Sequence, residues 1–310
     1  MSLSTVSIFK HIDAPENTIK VQGEKLDLLQ KALLSIVSDI NDVCKQNNIT
    51  YMLSGGTCLG AIRHEGFIPW DDDVDLFMLR VDFFNFAEKL EQQFPGKYLI
   101  EIPAKTKGYN LAFSRIRLNG TVVRSKEDID KPVEDCGVYV DIFYLENAPD
   151  NLILRKLHCA HSMFCGLAYS CRRFKDHAED YFKLVQNNKQ ALKTFKKKAF
   201  LGKVFSLKSV DGWVASWDKA NSLCKNENSK FICCPVGRKH YSGETYVRDS
   251  FFPTVEKNFE GLSVPVPKDY EKYLTQLYGP DFMQLPPEED REVHVVYEFD
   301  LSKFEQSGSS

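Results

Sequence analysis

Residues 53–78 read LSGGTCLGAIRHEGFIPWDDDVDLFM, and two patterns in this stretch decide the fold. The apolar run Tyr51, Met52, Leu53 enters Ser54, Gly55 and Gly56, which predicts a strand ending in a tight turn. Thr57 then reads as the N-cap of a helix carrying Leu59, Ile62 and Arg63. Such a helix aims its unbonded N–H groups and the positive end of its dipole at the glycines, where a phosphate can approach the backbone closely. The second pattern is the carboxylate run Asp71, Asp72, Asp73 and Asp75 leading into an apolar segment. Alternation along Asp73-Val74-Asp75-Leu76-Phe77 puts Asp73 and Asp75 on one strand face, about 6–7 Å apart. Two anions so placed raise each other's pKa, and a divalent cation relieves the conflict. An Asp run is ordinarily a solvated turn. This one enters an apolar strand behind a glycine turn, which favours metal.

Three competing motifs fail. An EF-hand loop begun at Asp71 would need glycine where Leu76 stands and glutamate where Asp82 stands. Gly55 to Gly60 has the glycine spacing of a P-loop, but Ala61 and Ile62 occupy the Lys and Ser/Thr positions. The stretch contains no G-x-G-x-x-G.

Further along, Gly137 to Leu145 is an apolar strand in which Tyr139, Asp141 and Phe143 share a face. An ionised carboxylate in such a segment needs a partner, either a local salt bridge or a metal. Leu111 to Leu118 is a strand whose alternation places Arg115 and Arg117 together. These arginines are either solvent-exposed or, on a face continuous with the acids, phosphate clamps.

The stretch GGTCLGAIRHEGFIPWDDDVDL (residues 55–76) resembles the signature of the LicD family of phosphotransferases, similar to the fukutin-related transferases within the nucleotidyltransferase superfamily of the DNA polymerase β type. GVYVDIFYLENAP (residues 137–149) resembles that superfamily's third acidic strand, and residues 259–294, FEGLSVPVPKDYEKYLTQLYGPDFMQLPPEEDREVH, give a further match. The resemblance implies an α/β (α+β) fold with a mixed-sheet nucleotidyltransferase core. It also implies transfer of a phosphorylated alcohol, typically phosphocholine from CDP-choline, to a sugar hydroxyl of a teichoic acid or lipopolysaccharide precursor. Asp73, Asp75 and Asp141 would then be the catalytic and metal-binding acids, holding Mg²⁺ or Mn²⁺. Gly55, Gly56 and Thr57 would seat the donor phosphates, with Arg63 and His64 stabilising charge. Nucleotidyl transfer to a small molecule and a nucleotide-binding pseudoenzyme stay open as alternatives.

Composition is compatible with this reading. The 310 residues, 43% hydrophobic and 12% aromatic, suffice for a sizeable core. A net charge of −3 gives no reason to expect nucleic acid as a partner. The partners expected are a CDP-activated alcohol and a glycan or glycolipid acceptor. The N-terminal residues lack the pattern of a secretory signal, and His158 to Tyr169 is too short to span a bilayer. A cytoplasmic protein is expected, with contact at the inner face of a membrane left open. Nine cysteines without a C-x-x-C pair suggest reduced thiols, and His158, Cys159, His161, Cys165 and Cys171 read as helix core residues before zinc ligands.

Periodicity predicts helices at Glu24–Lys45 and Asp82–Phe94, then three basic helices at Leu152–Arg172, Glu179–Phe200 and Val210–Lys225. It predicts strands at Phe231–Pro235 and Phe259–Val266, a short helix at Asp269–Tyr278 and an extended piece at Arg291–Phe299. The expected division is a catalytic core over residues 1–148, a helical insertion over 149–228, a C-terminal segment returning to the core over 229–300, and a disordered tail over 301–310.

Overall fold

The structure is a computed structural model, and it describes residues 18–307 apart from 126–127, 129–130, 180–181, 183–188, 289–290 and 292–294. After β1 (Ile19–Lys20), the helix α1 (Glu24–Asn47) turns its apolar stripe inward: Leu29, Leu33, Ile36, Ile40 and Val43 are buried. Each such side chain contributes about 1.5–3 kcal/mol by leaving water. Next come β2 (Tyr51–Leu53), α2 (Gly55–His64), β3 (Asp75–Leu79), α3 (Arg80–Gln93), β4 (Tyr98–Glu101), β5 (Ser114–Leu118), β6 (Val122–Arg124) and the long strand β7 (Tyr139–Ala148). The main sheet runs in the order β2-β3-β7-β5-β4. Strands β3 and β7 are parallel; the other neighbours in this order are antiparallel. This is a mixed α+β architecture.

The two faces of the sheet differ. Val140, Ile142 and Tyr144 of β7 point into the main core, where Phe83 of α3 meets the Tyr144 ring at 5.0 Å. Asp75, Phe77, Asp141 and Phe143 occupy the other face, where Phe251 and Tyr273 from the C-terminal part of the chain pack on Phe77 and Phe113 packs on Phe143.

Beyond β7 the chain is helical: α4 (Leu152–Asp176), α5 (Lys189–Val204) and α6 (Val210–Asn221). Asn151 caps α4 by accepting from the N–H groups of Ile153 and Leu154. The layer has cores of its own, one around Cys165, Tyr169, Trp213 and Trp217 and another around Phe174, Ala191 and Phe195. His158 lies inside, with Nε2 bonded to the Ala220 carbonyl (2.8 Å) and Nδ1 to the Tyr241 hydroxyl (2.9 Å), as a core histidine would be. The predicted helix at Glu179–Phe200 falls partly outside the described residues, and the part described as α5 runs on to Val204.

The chain then passes through β8 (Phe231–Cys233), which extends the sheet from the far end of β7, the short α7 (His240–Gly243) and β9 (Thr245–Val247). A hairpin follows where one strand was expected. β10 (Val255–Phe259) and β11 (Leu262–Val266) flank Glu260 and Gly261, both at positive φ. Such two-residue turns match the strand twist, and glycine at the second position makes this one cheap. After α8 (Tyr270–Tyr278), β12 (Val295–Val296) pairs with β1, and β13 (Glu298–Asp300) pairs with β6. Leu301 is buried, and α9 (Ser302–Ser307) follows it.

Candidate active site

The glycine turn lies where the sequence placed it, but its cap is different. Helix α2 begins at Gly55, with Ser54 as N-cap, so Thr57 stands in the first turn. The Thr57 hydroxyl accepts instead from the Asp75 N–H at 2.9 Å, tying the helix start to the strand that carries the acid. Gly55 has φ +52°, a conformation that L side chains rarely adopt, and its N–H donates to the Tyr273 hydroxyl at 2.8 Å. Both glycines also face carboxylates. A Cβ on Gly55 would stand 3.1 Å from Asp75 Oδ2 and 3.8 Å from the Tyr278 hydroxyl, and one on Gly56 would stand 3.0 Å from Asp71 Oδ2.

Strand pairing aligns the acids from the two distant segments. Asp75 and Asp141 are register partners on the parallel strands β3 and β7, and residues paired this way project on the same face. The Asp141 N–H donates to the Val74 carbonyl at 2.9 Å, so pairing already holds the residue ahead of Asp75. Asp73 precedes β3, in the irregular run that connects it to Trp70, so it is a neighbour of the strand acids rather than a strand residue.

Asp141 is paired with a cation. Arg115, its register partner on β5, donates from Nε and Nη2 to the two Asp141 oxygens at 2.6 and 2.9 Å. The arginine stacks 3.5 Å from the Tyr139 ring centroid, and its Nη1, 4.0 Å from Asp128, is buried without a hydrogen bond among the described residues. Arg117 lies on the same face and donates to Glu101 at 2.7 Å and to Asp128 at 2.5 Å. Burial works to raise the Asp128 carboxyl, but Arg117, Arg115 and Lys131 outweigh it and hold it below its ordinary value. Neither arginine is the exposed cation the sequence allowed, and the donors of Arg117 are committed to this interior network.

Arg63 and His64, at the far end of α2, face the C-terminal loop. Arg63 Nη1 donates to the carbonyls of Phe282 (3.0 Å) and Gln284 (3.1 Å), and Nε donates to His64 Nε2 at 3.0 Å. Burial lowers the Arg63 pKa against the opposing attraction of Asp71, while burial and the Arg63 charge lower that of His64.

Sequence reasoning assigned no role to Tyr273 or Tyr278. Tyr273 is buried against Phe77, Tyr246 and Phe251, which fixes the hydroxyl that receives the Gly55 N–H. The Tyr278 hydroxyl is pushed up first by burial and then by Asp75 and Asp71, with Arg238 opposing. Both tyrosines lie in the third block of resemblance, but their spacing carries no chemical signal of its own.

Among the described residues no group of three or more His, Cys, Asp or Glu is arranged to hold a metal ion. The oxygen-only pair Asp75 and Asp141 nevertheless fits a hard cation such as Mg²⁺, which is commonly bound by one or two carboxylates together with substrate phosphates. Each Asp141 oxygen keeps a second lone pair beyond its bond to Arg115.

Residues 48–152 match the domain described as LicD/FKTN/FKRP, nucleotidyltransferase domain. Nearly the whole chain is similar to the lipopolysaccharide cholinephosphotransferase LicD of Haemophilus influenzae, 28% identical over 286 residues, covering 89% of this chain and 98% of that protein. Uncharacterized proteins of Rickettsia typhi and Rickettsia prowazekii are 39% and 38% identical over 61 residues, 20% of this chain. These similarities assign a LicD-type domain to residues 48–152 and support a phosphotransferase enzyme.

Proposed function

We propose that this protein transfers phosphocholine from CDP-choline to a sugar hydroxyl of a cell-surface glycan precursor, in a reaction that depends on Mg²⁺. The observation that carries the reading is the register pairing of Asp75 with Asp141 beside the glycine turn at the start of α2. The match to a lipopolysaccharide cholinephosphotransferase along nearly its full length favours choline and a lipopolysaccharide-type acceptor. A teichoic acid precursor is the second acceptor class of the same reaction.

In this reading Gly55 and Gly56 let the donor diphosphate approach the N-terminus of α2, whose positive dipole end favours an anion. Tyr273 holds the turn in shape through its bond to Gly55. Asp75 and Asp141 would hold the cation, with Asp73 as the further carboxylate. When bound, Mg²⁺ would neutralise the diphosphate and the charge that builds on the departing nucleotide. Asp141 would lie next to the attacking sugar hydroxyl and accept its proton, while Arg115 keeps the carboxylate in a fixed orientation. The core would accordingly be a nucleotidyltransferase-type sheet used for transfer of a phosphorylated alcohol, in a protein acting at the cytoplasmic face of a membrane.

The test is product analysis with CDP-choline, CDP-ribitol and CDP-glycerol, with and without acceptor glycan, in Mg²⁺ and in EDTA. Acceptor-dependent CMP release from CDP-choline that EDTA abolishes is the expected result. Pyrophosphate release from CTP would favour nucleotidyl transfer instead, and equal donor affinity in EDTA and Mg²⁺ would remove the metal assignment.

A further inference from the structure

We propose that α4 and α5 form a surface that docks the protein onto an anionic lipid bilayer. The observation is an apolar stripe that the fold leaves uncovered. On α4, the residues Ile153, Leu157, Phe164 and Leu167 recur at helical spacing on one side, away from His158, Ser162 and Cys165, which pack inward. Helix α5 covers this side further along, where a Cβ on Gly202 would meet the Cys171 carbonyl at 2.4 Å, and the Phe205 ring meets Phe164 at 5.9 Å. Toward the start of α4 the stripe emerges: Ile153 is 70% exposed and Leu157 62%. The end of α5 adds Phe200 at 66% and Leu207, just beyond it, at 95%. A soluble surface tolerates single exposed apolar side chains, whereas a run of them along one helix side marks a contact.

Charge identifies the occupant. Helix α4 contains five Lys or Arg and one acid, Asp176, which pairs with Arg172 at its end, and Lys189–Ser209 contains seven with no Asp or Glu, in a chain whose net charge is −3. Lys156, Lys196, Lys197 and Lys203 are exposed alongside the apolar residues. A soluble polyanion would account for the lysines and leave the leucines and phenylalanines unexplained. In a symmetric contact with a second copy, these basic segments would face each other and repel. A bilayer surface satisfies both features, with apolar side chains entering the acyl boundary and ammonium groups resting on lipid phosphates. Among the described residues no helix is long and apolar enough to cross a membrane, so the contact would be interfacial. The inference rests on the helical surface alone and is independent of the reaction proposed above.

The test is flotation of the full chain with phosphatidylcholine vesicles, with and without phosphatidylglycerol. Binding is expected only to the anionic vesicles and should weaken with salt. Lys196→Glu/Lys203→Glu should weaken it by at least fivefold per lysine, roughly, since each contributes about that factor near such a surface. Ile153→Ser/Leu157→Ser should weaken it by about tenfold or more, because lost apolar burial cannot be replaced by charge. Their melting temperatures should match wild type, as all four side chains are exposed. Equal binding to neutral vesicles, full retention by the apolar double variant, or a solution dimer that this variant dissolves would each overturn the proposal.

Discussion

Asp141→Asn removes one charge from a buried ion pair and one carboxylate from the candidate metal site, and the structure sets both costs. The side chains of Arg115 and Asp141 are only 5% and 11% exposed, so the guanidinium left behind has no access to bulk water. Removing one partner of such a pair costs about 3–5 kcal/mol. Here Asn retains one acceptor oxygen, Asp128 stands 4.0 Å from Nη1, and the Tyr139 ring still faces the cation, so about 2–3 kcal/mol is expected. For a chain of this size that lowers Tm by roughly 4–10 °C. Separately, kcat should fall about a hundredfold or more, as when a positioned base or charge-bearing ligand is lost. Pairing the change with Arg115→Met separates the effects. The double variant lacks the stranded cation, so its stability should exceed the sum of the single losses by about 1–3 kcal/mol, while kcat per folded molecule stays low. Thermal melts and single-turnover CMP release on the three variants decide the matter. If the double variant regained activity together with stability, Asp141 would serve only to neutralise Arg115 and the catalytic assignment would fall.

Gly56→Ala should leave the fold intact but displace the Asp71 carboxylate, 3.0 Å from the new Cβ; reduced donor affinity in calorimetry with Mg²⁺ and CDP-choline, at unchanged Tm, is expected. Arg63→Gln should free the loop at Phe282 and Gln284, read as faster limited proteolysis there, and unchanged cleavage would mean these bonds do not hold the loop. His158 gives a pH prediction. Burial lowers its pKa against the opposing bond to Ala220, so the unfolded chain binds this proton more readily than the folded one. Its stabilising contribution is therefore complete above the ordinary histidine value of about 6.5 and is lost as pH falls through the lowered one. Wild type should lose more Tm than His158→Gln between neutral and mildly acid pH, and parallel Tm profiles would contradict the assignment.

Elements whose signal is local were legible from the residues alone. The i, i+3, i+4 recurrence of Leu29, Leu33, Ile36 and Ile40 has one physical outcome, a helix with one buried side. The Ser54-Gly55-Gly56 turn, the acidic run ahead of β3 and the isolated Asp141 in an apolar strand were legible for the same reason, since each is an unusual residue type set in a regular pattern. Local pattern was insufficient where two signals competed: Phe259 to Val266 reads as one strand until the positive φ of Glu260 and Gly261 splits it. Thr57 reads as a cap until its hydroxyl is found receiving the Asp75 N–H. Which acid stands beside which follows from the folded sheet, because parallel pairing of β3 with β7 joins residues 66 positions apart in a register no spacing encodes. Tertiary structure also decided that Arg115 neutralises Asp141, and that Tyr273 and Tyr278 close on the glycine turn from a helix more than 200 residues away. Such contacts are fixed by how the sheet and the C-terminal helix share one buried face, where charges must find partners and aromatic rings must fill space.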